Sequence, residues 1–121
     1  MANPTKHESF NYVEFPATDL TANKAFFQQV FDWSFVDYGP DYSSFSEGSL
    51  DGGFYRSELS STTAKGAALL VFYSSALKET KAKVEQHGGV ICQDVFDFPG
   101  GCRFHFLDPS GNEFAVWSEQ A

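Results

Sequence analysis

The sequence predicts an α+β protein made of two modules, each a strand, a helix and three further strands. Three observations carry this. Apolar residues alternate over short segments bounded by Gly and Pro, the pattern of half-buried strands. Two other stretches, each preceded by capping residues, suit helices. The element order also repeats. Laying Val13 on Leu70, an offset of 57 residues, places Phe15 on Phe72, Leu20 on Leu77, Lys24 on Lys81 and Phe27 on Val84, which points to an internal duplication.

The elements follow in order. After a polar tail, Met1–Glu8, the run from Phe10 to Phe15 alternates as a strand, and Pro16 is expected to end it. Thr18 or Asp19 caps a helix from Leu20 to Phe31, whose apolar face holds Leu20, Phe27, Val30 and Phe31. Strands are expected over Trp33–Tyr38 and Tyr42–Ser46, separated by the Gly39-Pro40-Asp41 turn. Gly48 and Asp51-Gly52-Gly53 are expected to surround a turn before Phe54-Tyr55-Arg56, and Ser57–Lys65 reads as a linker. In the second module Ala67–Tyr73 is an apolar strand, and Ser74-Ser75 caps a helix from Ala76-Leu77 to Gln86-His87. Gly88-Gly89 stops that helix. Strands Val90–Phe98, Cys102–Leu107 and Glu113–Ser118 complete the module, the last two joined by the hairpin loop Asp108-Pro109-Ser110-Gly111-Asn112.

Composition narrows the function. The 121 residues suit one domain, with modules at about 9–57 and 66–119. Fourteen Phe residues argue for a large packed core. Eight basic against sixteen acidic residues give a net charge of −8, a field that repels nucleic-acid phosphates and anionic membrane surfaces. No apolar run approaches the roughly 20 residues of a membrane span, and no signal peptide is read at the start, so a cytoplasmic protein is expected. Cys92 and Cys102 form no Cys-x-x-Cys unit and are expected as reduced, mostly buried thiols.

Three segments add a resemblance. Tyr12-Val13-Glu14-Phe15-Pro16-Ala17-Thr18-Asp19-Leu20 resembles the opening strand and Asp-Leu helix start of the vicinal oxygen chelate superfamily, the glyoxalase/bleomycin-resistance/dioxygenase fold. Phe104-His105-Phe106-Leu107-Asp108-Pro109-Ser110-Gly111-Asn112 resembles its closing hairpin, and Phe98-Pro99-Gly100-Gly101 resembles a segment of its small bacterial members. The resemblance covers about Phe10 to Glu119. It implies that the two βαβββ modules pair into one curved, mixed-sheet cup with the helices on the outer face. It also implies a small organic ligand in the cup, a homodimer, and, in many members, a divalent metal acting as Lewis acid.

The positions matching the family's metal ligands are Tyr12, Leu69 and Ala115, the last counted four residues beyond Gly111. Leu and Ala hold no metal, so a metal-independent binding protein is the leading expectation. A metal-dependent lyase, isomerase or dioxygenase using His105, Glu14 and Glu113 is the alternative, and a non-catalytic drug- or metabolite-sequestering dimer is a third reading. Strand alternation turns Tyr12, Glu14, Tyr73, His105 and Trp117 toward the cup as ligand-binding residues. Among them His105 and Glu14 are the candidates for acid–base work. Glu113 is expected at the surface and Arg103 paired with a carboxylate.

Overall fold

The computed structural model describes residues 5–46 and 50–121; the Gly48 turn expectation lies outside them. The element order is β1 (Tyr12–Ala17), α1 (Leu20–Phe31), β2 (Phe35–Asp37), β3 (Tyr42–Phe45), β4 (Asp51–Arg56), a 3₁₀ turn (Thr63–Lys65), β5 (Leu70–Tyr73), α2 (Leu77–Gln86), β6 (Val90–Phe98), β7 (Gly101–Leu107) and β8 (Glu113–Ser118). They form two four-stranded mixed sheets, ordered β1-β4-β3-β2 and β5-β8-β7-β6. Each sheet has one parallel pair, β1 with β4 and β5 with β8, and is otherwise antiparallel. The fold is therefore α+β with the same βαβββ topology twice, a paired open cup and not a closed barrel. The duplication is visible in the helices: Leu20 opens α1 and Leu77 opens α2 at the 57-residue offset.

Local signals explain both helices. Asp19 sits in extended backbone, and its carboxylate accepts from the Ala22 N–H at 3.0 Å, which satisfies one of the orphan donors at a helix start. At the other end Asp32 takes the left-handed conformation, φ 61°. For α2 the N-cap is Ala76, which has no side chain to bond. The expected serine cap is displaced by a residue: Ser74 Oγ accepts from the Ala76 N–H at 2.9 Å and bonds Thr80 Oγ1 at 2.7 Å.

Both modules share one core. Phe27 of α1 stacks on Phe54 of the first sheet and meets Phe114 of the second edge-on, while Phe26 and Phe31 touch Phe106 and Phe31 stacks on Phe72 at 4.0 Å. The buried side of α1 thus bridges the two sheets, and Thr21, Ala25, Gln28 and Gln29 cover its exposed side.

Two local expectations are corrected. Pro16 does not end its strand. It continues β1 opposite Tyr55, as an edge strand allows, because a missing N–H on the free edge costs no ladder bond. Asp51-Gly52-Gly53 is not a turn but the start of β4. The glycines are there for space. A Cβ on Gly52 would strike the Val13 carbonyl oxygen and the Phe45 ring, and one on Gly53 the Tyr42 phenol.

The closing hairpin locks the modules together. Asp108, buried, accepts at Oδ1 from the Ser110 and Asn112 N–H groups and at Oδ2 from the side-chain amides of Asn23 in α1 and Asn112, all at 2.9–3.0 Å. Asn112, fully buried, also donates to the Pro16 carbonyl of β1 at 2.7 Å and accepts from the Ser61 N–H at 2.8 Å. Burial pushes the Asp108 carboxyl up to about 6, against the pull of those donors.

Candidate functional site

Alternation leaves one face of each sheet turned away from the shared core. On the first sheet Phe15 and Ala17 are buried, while Tyr12 and Glu14 point out. Tyr42 joins them: its phenol donates to Glu14 Oε2 at 2.9 Å and lies 2.5 Å from the Tyr12 hydroxyl. Burial, then the bonds to Tyr12 and Glu14, push the Tyr42 phenol up and keep it protonated. Sequence reasoning missed Tyr42. Its position in a strand was legible, but its reach to Glu14 depends on Gly53, opposite Glu14 in register, leaving room for the ring.

The second sheet carries the denser chemistry. In β7 the side chains of Cys102, Phe104 and Phe106 are sealed in the core, so Arg103 and His105 point to the other face. His105 is 8% exposed. Its Nδ1 lies 2.7 Å from Glu113 Oε2 in the neighbouring strand. Glu113 Oε1 accepts from both the N–H and the hydroxyl of Thr63, each at 2.8 Å. Burial alone would raise the Glu113 carboxyl; the bonds from His105 and Thr63 outweigh it and hold the group ionised, below the usual range. An ionised Glu113 fixes the proton of His105 on Nδ1 and leaves Nε2 as the free ring atom. That Nε2 is buried and has no partner among the described residues. The arrangement is that of a proton acceptor oriented by a carboxylate.

One ring packs on this dyad, and others follow along the sheet. Phe96 lies 5.8 Å from the imidazole, Phe98 is 6.2 Å from Trp117, and Trp117 meets Tyr73 edge-on at 5.1 Å. Tyr73 in turn bonds Glu119 at 2.5 Å. The strand that supplies Phe96 is irregular, with register shifts between Ile91 and Gln93 and between Gln93 and Phe96. Such bulges re-aim side chains. They also expose Cys92, which the sequence reading had buried; only Cys102 is buried, and neither forms a disulfide. Burial, then the charge of Glu113, raise the Cys92 thiol, so it is not an activated nucleophile.

The five residues expected in one pocket therefore fall into three groups. Tyr12 and Glu14 meet through Tyr42 on the first sheet, Tyr73 and Trp117 pair on the second, and His105 sits beside them with Glu113. Two expectations are corrected here. Glu113 is not a surface residue, its side chain being 12% exposed, because the Ser57–Lys65 linker folds back over it. Arg103 has no carboxylate partner among the described residues; its guanidinium lies over Phe96 and Phe98, at 5.3 and 5.7 Å. A cleft of about 590 Å³ lies between β1, β5 and the end of α1, lined by Val13, Phe15, Phe31, Trp33 and Phe72 and reached, of the five expected residues, by Tyr73 alone. It has volume but almost no orienting polar group. The sheet face has the polar groups, so it has the stronger claim as a site of recognition.

A divalent metal does not fit the donors present. Leu69 precedes β5 and Ala115 is sealed opposite His105, and neither offers a donor atom. No group of three His, Cys, Asp or Glu side chains able to hold a metal ion occurs among the described residues. The alternative set is split in this chain, with His105 and Glu113 on one sheet and Glu14 on the other.

Comparisons with known proteins agree with this architecture. Residues 9–116 match the profile of the Glyoxalase/Bleomycin resistance protein/Dioxygenase superfamily. A glyoxalase-related enzyme from Fulvimarina pelagi superposes with a TM-score of 0.75 at 15% identity, over 92% of this chain and 88% of that one. Lactoylglutathione lyase from Agrobacterium tumefaciens gives 0.70 at 21% identity, over 93% and 95%. The genomically encoded fosfomycin resistance protein of Listeria monocytogenes gives 0.72 at 16%, over 95% and 94%. At these identities the structural likeness speaks for the fold alone. No curated protein matches the chain by sequence.

Proposed function

This chain belongs to the Glyoxalase/Bleomycin resistance protein/Dioxygenase superfamily, and from that premise we propose that it binds a small organic molecule on the open face of its second sheet, around His105, without the family's metal. One observation carries the reading: the buried His105 Nε2 has no partner among the described residues, while Glu113 fixes the other ring nitrogen. An unmet polar atom sealed from water is costly unless something binds it. The ring-lined surroundings suit an organic ligand. The donor set around Tyr12, Leu69 and Ala115 supports metal independence.

Small molecules that co-purify with the untagged protein, identified by mass spectrometry, supply the probe. Its binding should change Trp117 fluorescence and survive dialysis against a chelator. Replacing His105 by alanine should weaken that binding about tenfold, the loss of one hydrogen bond to an imidazole, together with a lower melting temperature because Glu113 loses its partner. Unchanged affinity together with a lowered melting temperature would mean that His105 only supports the fold.

We further propose that the two modules act as one domain in a homodimer. Tyr12, Tyr55, Val71 and Tyr73 are all at least a third exposed, and β1 and β5 are sheet edges, surfaces that proteins usually cover. Light scattering at low micromolar concentration should give twice the chain mass; a monomer mass there would refute the dimer. Two unpaired thiols suit a reducing compartment, so the cytoplasm is part of the same proposal. No helix among the described residues is long and apolar enough to cross a membrane.

A further inference from the structure

Arg103 is the unexplained charge of this molecule. The sequence has two arginines in a chain of net charge −8. Arg56 does what such a background predicts and pairs with Asp41 at 2.8 Å. Among the described residues, Arg103 has only rings against it. Its Nε is buried with no hydrogen-bond partner among the described residues, one of two such side-chain atoms, and the other is His105 Nε2. The two residues are two apart in β7 and point to the same face.

The glutamates at the two ends of the neighbouring β8 are engaged elsewhere. Glu113 is held by His105 and Thr63, and Glu119 by Tyr73. Trp117, the residue opposite Arg103 in β8, is aromatic. The guanidinium therefore keeps its charge un-neutralised beside an oriented imidazole, and its planar fork suits a carboxylate. The rings of Phe96 and Phe98 lie against it, and Trp117 stands opposite in β8 with Phe98 and Tyr73 around it, surfaces that suit a flat apolar body.

We infer that Arg103 and His105 together recognise the acid group of an aromatic carboxylic acid on this face. The inference rests on the ligand reading of the same face given above and adds to it the ligand's charge and shape. Arg103 supplies the counter-charge, His105 takes up one proton from solvent at Nε2 as the acid binds and donates from it to a carboxylate oxygen, with Nδ1 still held by Glu113, and the rings hold the aromatic body.

The test uses the full chain labelled with ¹⁵N, titrated with benzoate, benzamide and acetate. Benzoate should perturb the Arg103 Nε and His105 ring signals in a saturable way. Benzamide, of the same shape but neutral, should bind roughly tenfold more weakly, since it lacks the charge-assisted bond. Acetate, which lacks the ring, should also bind more weakly than benzoate. Arg103→Gln should abolish the preference for benzoate over benzamide, and Arg103→Lys should retain part of it. If Arg103→Gln does not fold, the wild-type ratio and Arg103→Lys still decide.

Equal affinity for benzoate and benzamide at these residues would overturn the acid inference and leave the binding face intact. Benzoate signals confined to other residues, or no perturbation by benzoate at millimolar concentration, would overturn it as well. Failure of the face itself would show separately, as a co-purified ligand whose affinity ignores His105→Ala.

Discussion

Asn112→Ala should destabilise the protein by about 3–4 kcal/mol, because buried hydrogen bonds are costly to leave half made. The variant strands two partners, the Pro16 carbonyl and the Ser61 N–H, and removes one of the two donors on Asp108 Oδ2. These belong to the first strand, the linker and the closing hairpin, so the loss falls on the joint between modules. For a chain of this size a melting temperature lower by roughly 10 °C is expected. Urea unfolding at neutral pH measures the free energy directly. A loss below about 1 kcal/mol would show that water replaces the amide without penalty. The same network predicts a pH trend. Asp108 binds its proton more tightly when folded, with a value of about 6 against 3.8 in the open chain. Its contribution to stability is therefore greatest below 3.8 and declines as the pH rises to about 6.

Gly52→Ala is the second large effect, expected at about 3 kcal/mol or more, the upper range for overpacking a closed site. The added methyl would meet the Val13 carbonyl oxygen and the Phe45 ring. A carbonyl in a paired strand has no room to retreat, because Val13 is the register partner of Gly52 itself. Gly39→Ala is the matched control. Gly39 has what Gly52 lacks, a left-handed backbone at φ +79°, and nothing lies within 4 Å of its added Cβ. Its cost should be only the left-handed backbone penalty, about 1–2 kcal/mol. A loss at Gly52 no larger than that at Gly39 would show that crowding is not what places glycine at 52.

The glycine pair also shows where local reading stops. Asp-Gly-Gly is turn chemistry when neighbours along the chain are all that is known. Here the neighbours that matter are Val13, Phe45 and Tyr42, brought in by other strands. Pro16 is the same case in reverse: its missing N–H ends a strand only if that edge needs to pair, and β1 is an edge.

What the sequence determined by itself was everything with a short physical range. The Asp19 cap, the 57-residue repeat of Leu20 and Leu77, the apolar alternation of β7 and β8, and the absence of donor atoms at Leu69 and Ala115 were all legible, because each depends on residues within a few positions or on residue type alone. So was the sorting of His105, Tyr73 and Trp117 onto faces. Partner choice was decided only by the tertiary structure. Glu113 looked like a surface residue until the linker folded over it and the hairpin register set it against His105. Arg103 looked like half of a salt bridge until the irregular β6 placed Phe96 and Phe98 beneath it. Pairings of this kind depend on bulges and strand order, which the alternation of single strands does not encode.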